Sequence, residues 1–129
     1  MTWILAVDIG NTVTRMGGVA AGEVVALVRL PTAAIDYPDL AGQALGRLQG
    51  RLGAAPVAAG VSTVVPGRDA RLAAELAPSG VAPVAVGPEA TAGMPMAYDD
   101  PQALGPDRIA NAVAARTRLG APCLAVDLG

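Results

Sequence analysis

Three aspartates stand two places from a glycine in phrases that could do chemistry: Asp8 in LAVDIGNT, Asp107 in GPDR and Asp127 in LAVDLG. Asp8 closes a short apolar run. Gly10 has no side chain, so phosphate oxygens could approach the backbone there, and turn amides could donate to them. Asn11 and Thr12 add neutral donors. A carboxylate repels phosphate, so the natural role of Asp8 is to hold Mg²⁺, often through water. The plainer alternative is a hairpin in which Asp8 and Asn11 make Asx-type bonds. Asp107 falls at the start of a helical pattern, where free amides and the positive dipole end favour the ionised form. It reads either as a capping or first-turn acid, or as a carboxylate that takes the proton of an alcohol attacking phosphorus. Arg108 beside it could grip a carboxylate or phosphate. Asp127 repeats the setting of Asp8, with Asp and Gly in the same places of the phrase. Two such strand–Asp–Gly turns could face each other across a cleft and grip one nucleotide; a chance match of two apolar strands is the alternative.

Composition removes other chemistries. The 129 residues include no Lys and no His. A P-loop lacks its Gly-Lys pair, Ser–His and Cys–His catalysis lack a base, and His-containing zinc sites are excluded. The nine positive charges are all Arg, scattered along the chain, so nucleic-acid binding has no electrostatic support. Cys123 is the only Cys. It makes no internal disulfide, fits a reducing compartment and, within CLAV, reads as a buried inert thiol. No basic region precedes the short apolar run Trp3–Val7, and no apolar stretch is long enough to span a membrane, so a cytoplasmic location is expected.

The elements that must position these residues follow from periodicity. Trp3–Asp8 reads as a buried strand, and Gly10-Asn11 as the positive-φ pair of a tight hairpin. Val13–Ala20 and Glu23–Leu30 follow as strands around an Ala21-Gly22 turn, giving an antiparallel meander. Tyr37-Pro38-Asp39 reads as a helix entry, and Leu40, Ala41, Ala44, Leu45, Leu48 and Leu52 recur at helical spacing. Pro56–Ser62 is a fourth strand, and STVVP (Ser62–Pro66) a turn before the helix Asp69–Ala77, which Pro78 to Gly80 end. Ala82–Val86 is a fifth strand and Gly87–Leu104 mostly loop. Within that loop Tyr98 is either a surface Tyr or a substrate wall, and Met94 and Met96 read as packing. Asp107–Leu119 is a third helix capped by Gly120, and Pro122–Asp127 a last strand. The order β-β-β-α-β-α-β-α-β is an α/β pattern with a mixed sheet.

Taken together, DIGNT at Asp8–Thr12, STVVP at Ser62–Pro66, GMPMAYDDPQALGPDRIANAVAA at Gly93–Ala115 and VDLG at Val126–Gly129 resemble the type III pantothenate kinases, of the actin-like, sugar-kinase and Hsp70 ATPase superfamily. The resemblance covers essentially the whole chain but only the first half of the family's length. It implies a ribonuclease H-like (actin-like ATPase) lobe over residues 1–121, with 122–129 the first strand of a second lobe. It implies ATP-dependent phosphorylation of pantothenate at its primary hydroxyl, the first committed step of coenzyme A synthesis. By match to the family's motifs, Asp8, Ile9, Gly10, Asn11, Thr12, Val13, Thr14 and Arg15 form the first phosphate-binding turn. Asp107 is the general base, and Tyr98 with Gly105, Pro106, Asp107 and Arg108 contacts pantothenate. Asp127 holds a monovalent cation, K⁺ or NH₄⁺, and Mg²⁺ accompanies ATP. The family's homodimer builds the pantothenate pocket at the subunit interface.

The departures from the family pattern are two. Pro106 stands where the family usually has a small residue such as Ala; its fixed φ suits a helix start. The family continues past the second Asp-Leu-Gly with Thr-Ala and a further lobe, so the resemblance implies a fragment or shortened product with little kinase activity and marginal solubility of its own, Pro122–Asp127 being a strand of a sheet it lacks. Two competing functions are a non-catalytic binding or transcriptional accessory relative, and another sugar or acid kinase of the same superfamily. Retention of both Asp8 and Asp107 favours the enzyme over the first. The Gly93–Ala115 match argues against the second.

Overall fold

Leu5, Val7 and Ile9 alternate with Ile4, Ala6 and Asp8, and only the first set is fully buried. That period of two makes β1 (Ile4–Ile9) a strand with one face committed to a core. The computed structural model describes residues 1–36 and 40–128. The chain divides into two compact units, Met1–Ala85 and Val86–Gly129.

In the first unit β2 (Val13–Ala20) and β3 (Glu23–Pro31) complete the expected antiparallel meander with β1. β4 (Ala59–Thr63) pairs in parallel with β1, and β5 (Pro83–Ala85) in parallel with β4. The five-stranded sheet has the order β3-β2-β1-β4-β5, the mixed arrangement anticipated from the sequence. The turn between β2 and β3 is a two-residue connection in which Ala21 and Gly22 both take positive φ, 51° and 79°. Such a turn twists in the same sense as the strands it joins.

Helix α1 (Leu40–Leu52) buries Ala41, Ala44, Leu45 and Leu48, the expected apolar stripe, and packs over β2 and β3. The anticipated entry at Tyr37-Pro38-Asp39 lies outside the described residues. Helix α2 (Arg68–Leu76) turns Leu72 and Leu76 inward, then tightens into a short 3₁₀ turn, Ala77–Ser79, where the Ser79 hydroxyl donates to the Leu76 carbonyl at 2.6 Å. The STVVP turn before it is closed by Thr63, whose Oγ1 accepts from the Val65 amide at 3.1 Å. One core gathers Trp3, Leu5, Val7, Ile9, Met16, Leu48, Val61, Leu72 and Leu76. Aromatics being scarce, Trp3 is its largest member; its indole Nε1 donates to the Ala54 carbonyl at 3.0 Å. Gly18 leaves room for the Trp3 ring, since a Cβ there would lie 3.4 Å from Trp3 Cε3 and would collide with Leu52.

The second unit is loop and one helix. Residues 87–104 run through tight turns at Gly87–Ala90 and Thr91–Met94, with a single 3₁₀ turn at Pro101–Ala103. Helix α3 (Pro106–Leu119) follows, fixed by Ile109, which is wholly buried, and ended by Gly120 at φ 75° with its amide on the Arg116 carbonyl.

Two expectations need correction here. Pro122–Asp127 does not form a strand: residues 123–128 are exposed and lie in no ladder. A strand acquires its conformation from its neighbours, and among the described residues this one has none. For the same reason Cys123 is exposed rather than buried.

Candidate active site

The first group of predicted residues lies where β1 and β4 end side by side, at the carboxyl edge of the parallel part of the sheet. Such edges are where open α/β sheets place ligands. The Val64 amide donates to the Ile9 carbonyl at 3.1 Å, carrying the pairing one step past the ladder. The chain then reverses through Gly10–Val13, with the Gly10 amide on the Val13 carbonyl at 3.0 Å. Gly10 is required by space and not by dihedral angle. A Cβ there would lie 2.9 Å from the Val13 oxygen. Neither Gly10 nor Asn11 takes positive φ, contrary to the hairpin expected of them; that geometry occurs at Ala21-Gly22 instead.

The turn is held by Thr32, the residue just past the end of β3. The Thr32 amide donates to the Thr12 carbonyl at 2.8 Å, and Thr32 Oγ1 donates to the Gly10 carbonyl at 2.7 Å. Thr14 Oγ1 lies 3.0 Å from Thr32 Oγ1. A hydroxyl has one proton, and that of Thr32 is already used, so Thr14 is the donor of this pair. Both threonines are buried. With its carbonyls engaged in this way, the turn exposes Asn11 and Thr12, whose amides donate to no backbone carbonyl among the described residues. Two neighbouring amides without a backbone carbonyl partner, on exposed residues of a braced turn, can accept an anion. Thr32 is the residue that sequence reasoning missed. Its signal was faint: a lone hydroxyl just after the Pro31 that ends β3.

Asp8 and Arg15 face each other across β1 and β2, in register, with Arg15 Nη1 3.4 Å from Asp8 Oδ2. Both side chains are about half exposed, so the pair is a loose one. On its other side Asp8 is in register with Ser62 of β4. A half-exposed carboxylate with one long contact suits a cation that keeps most of its water, as Mg²⁺ does.

The second group lies in the second unit. Gly105 caps α3 in extended conformation, φ −60° and ψ 139°, and its carbonyl accepts from the amides of Arg108 at 3.1 Å and Ile109 at 3.3 Å. Pro106 takes the first helical position, where its missing N–H costs nothing. Asp107 is therefore a first-turn acid and not the cap. Its carboxylate folds back over Gly105: a Cβ on that glycine would sit 2.7 Å from Asp107 Oδ1. Among the described residues it makes no hydrogen bond or ion pair. Arg108 is exposed, and Tyr98 is 50% exposed in the preceding loop. A cavity of about 200 Å³ lies at the other end of α3, lined by Thr91, Met94, Val113, Arg116 and Thr117 among others. Its lining holds no carboxylate.

Asp127 lies in the exposed segment after α3. No group of three or more His, Cys, Asp or Glu converges on a metal site among the described residues. A cation at Asp8 or Asp127 would draw its other ligands from water, carbonyls or a nucleotide. No helix of the described residues is long and apolar enough to cross a membrane.

Comparison with known proteins agrees with these motifs. The family profile described as Type III pantothenate kinase matches residues 4–129. A type III pantothenate kinase of Rubrobacter xylanophilus is 42% identical over 132 residues, covering 98% of this chain and 49% of the relative. Those of Thermomicrobium roseum and Myxococcus xanthus are 37% and 35% identical, each over 98% of this chain and 50% and 51% of their own lengths. The chain thus spans about half the length of the curated relatives it matches. With a family match across nearly all of its residues, the chain belongs to the type III pantothenate kinases.

Proposed function

We propose that the protein phosphorylates pantothenate at its primary hydroxyl with ATP, feeding coenzyme A synthesis, and that this chain supplies the N-terminal lobe, residues 1–121, with 122–129 entering a second lobe of actin-like type. The observation that carries the reading is the carboxylate of Asp107, oriented over the helix N-terminus and engaged by nothing else among the described residues. A general base must have its lone pairs available.

In this reading Asp107 takes the proton of the substrate hydroxyl as that oxygen attacks the γ-phosphorus of ATP, and ADP leaves with the electrons of the broken bond. Arg108 pairs with the pantothenate carboxylate, and Tyr98, Gly105 and Pro106 shape the pocket around it. The turn Asp8–Arg15 receives the phosphates: amides of Asn11 and Thr12 donate, and Arg15 offers charge once it leaves Asp8. Mg²⁺ held by Asp8 through water would neutralise phosphate charge, and K⁺ or NH₄⁺ would sit at Asp127. A cytoplasmic homodimer completing the pantothenate pocket is part of the same proposal.

The test is a coupled ADP-release assay on the whole protein carrying this chain. Pantothenate-dependent turnover is expected, and Asp107→Asn should lower kcat by about 10²–10⁴-fold, the usual contribution of a general base, with the fold retained. Turnover only with another alcohol would move the protein to a different kinase class. Binding without turnover would make it an accessory relative. Unchanged turnover in the variant would remove Asp107 as the base.

A further inference from the structure

Strand register sets four polar side chains on one rung of the sheet. Arg29 of β3 pairs with Arg15 of β2, Arg15 with Asp8 of β1, and Asp8 with Ser62 of β4. Residues in register on adjacent strands point to the same face, about 4.8 Å apart at their Cα atoms. Asp8 therefore stands between a guanidinium on one side and a hydroxyl on the other. The two neighbours differ in one respect. Arg15 is half exposed and reaches Asp8 Oδ2 at 3.4 Å. Ser62 is only 6% exposed, and its Oγ is buried with no hydrogen-bond partner among the described residues. Buried hydroxyls are nearly always satisfied, and a serine in a strand can usually turn to a nearby carbonyl. This one does not, although a carboxylate stands one strand away.

We propose that Ser62 is the positioning residue for Asp8. The Asp8 carboxylate leans toward Arg15. When Asp8 turns to hold the magnesium of a bound nucleotide, Ser62 Oγ donates to the carboxylate oxygen not facing the cation and fixes its rotamer. Arg15 is released at the same time to face phosphate. The unpartnered Ser62 hydroxyl is the donor available for that contact. Groups that orient a metal-holding carboxylate in this way are worth about 10–100-fold in metal affinity. The inference rests on the assignment of Asp8–Arg15 to the nucleotide phosphates and adds to it a residue outside that turn.

The experiment titrates ATP into the whole protein by calorimetry, at a series of Mg²⁺ concentrations and in EDTA, for the wild type, Ser62→Ala and Ser62→Thr. Ser62→Ala should raise the Mg²⁺ concentration for half-maximal tightening by at least about tenfold, leave affinity for metal-free ATP within about twofold, and leave the thermal midpoint unlowered. Ser62→Thr, which keeps the hydroxyl, should fall closer to wild type in Mg²⁺ dependence. An equal loss with and without Mg²⁺, or an unchanged Mg²⁺ dependence in Ser62→Ala, overturns the proposal. If Asp8→Asn alters Mg²⁺ dependence while Ser62→Ala does not, only Ser62 is misassigned. If wild-type binding is insensitive to Mg²⁺ and Asp8→Asn changes nothing, the phosphate assignment of the turn fails and the role of Ser62 with it.

Discussion

Leu5–Gly10 and Leu124–Gly129 spell nearly the same six-letter phrase, LAVDIG and LAVDLG, and the molecule treats them in opposite ways. In the first, Leu5 and Val7 are 0% and 4% exposed between two paired strands. In the second, Leu124 and Val126 are 83% and 71% exposed and no strand forms. Local propensity is the same in both places. What differs is the supply of neighbours: β1 has β2 on one side, β4 on the other and two helices over one face. A β-strand is a property of a pair, so an apolar phrase specifies one only where partners exist. The aspartate follows its strand. Asp8 acquires a rung with Arg15 and Ser62, while Asp127 lies in no strand.

The contrast can be broken by substitution, and the largest effect is expected in the apolar positions. In urea unfolding of these 129 residues alone, Leu5→Ala should cost about 2–5 kcal/mol, as buried leucines do, whereas Leu124→Ala should stay within about 0.5 kcal/mol. Equal losses at the two sites would mean that the second phrase is packed in solution. A smaller effect is expected from Thr32→Val, which keeps the shape but strands the Gly10 carbonyl and the Thr14 hydroxyl. About 1–3 kcal/mol is the expected loss, with amide exchange accelerating at Gly10–Val13 before it does in β1. Uniform acceleration through the sheet would deny the brace a local role. The smallest effect belongs to Arg15→Gln, because the ion pair with Asp8 is half exposed; under about 1 kcal/mol is expected, and a larger loss would show a tighter pair than the 3.4 Å contact implies.

Most of the scaffold was legible from residue order. The meander, the stripe Ala41–Leu48 and the mixed sheet follow from periods of two and about four, which reflect burial on one side and need no knowledge of partners. The candidate residues Asp8, Asp107 and Asp127 stand out in sequence because their Asp-Ile-Gly, Gly-Pro-Asp-Arg and Asp-Leu-Gly phrases match the family's motifs. What the letters conceal is register. Nothing near Ser62 or Thr32 in sequence says that one will lie beside Asp8 and the other beneath Gly10, because those meetings are set by strand alignment across the sheet. The Gly10-Asn11 error has the same origin. A glycine in a turn invites a dihedral explanation, but here the constraint is the approach of the Val13 oxygen, which depends on how the returning strand is held.

The bond from Thr32 to the Gly10 carbonyl spans 22 positions in sequence. It makes the Gly10–Val13 turn a non-transferable part. The five letters DIGNT, grafted onto another hairpin, would carry the glycine and the donors but not the hydroxyl that braces them from the third strand. For an engineer, the smallest portable unit is therefore the whole meander from β1 through Thr32. For a chain in the course of folding, the turn gains this brace only after the third strand has docked, so its order reports that the meander is complete.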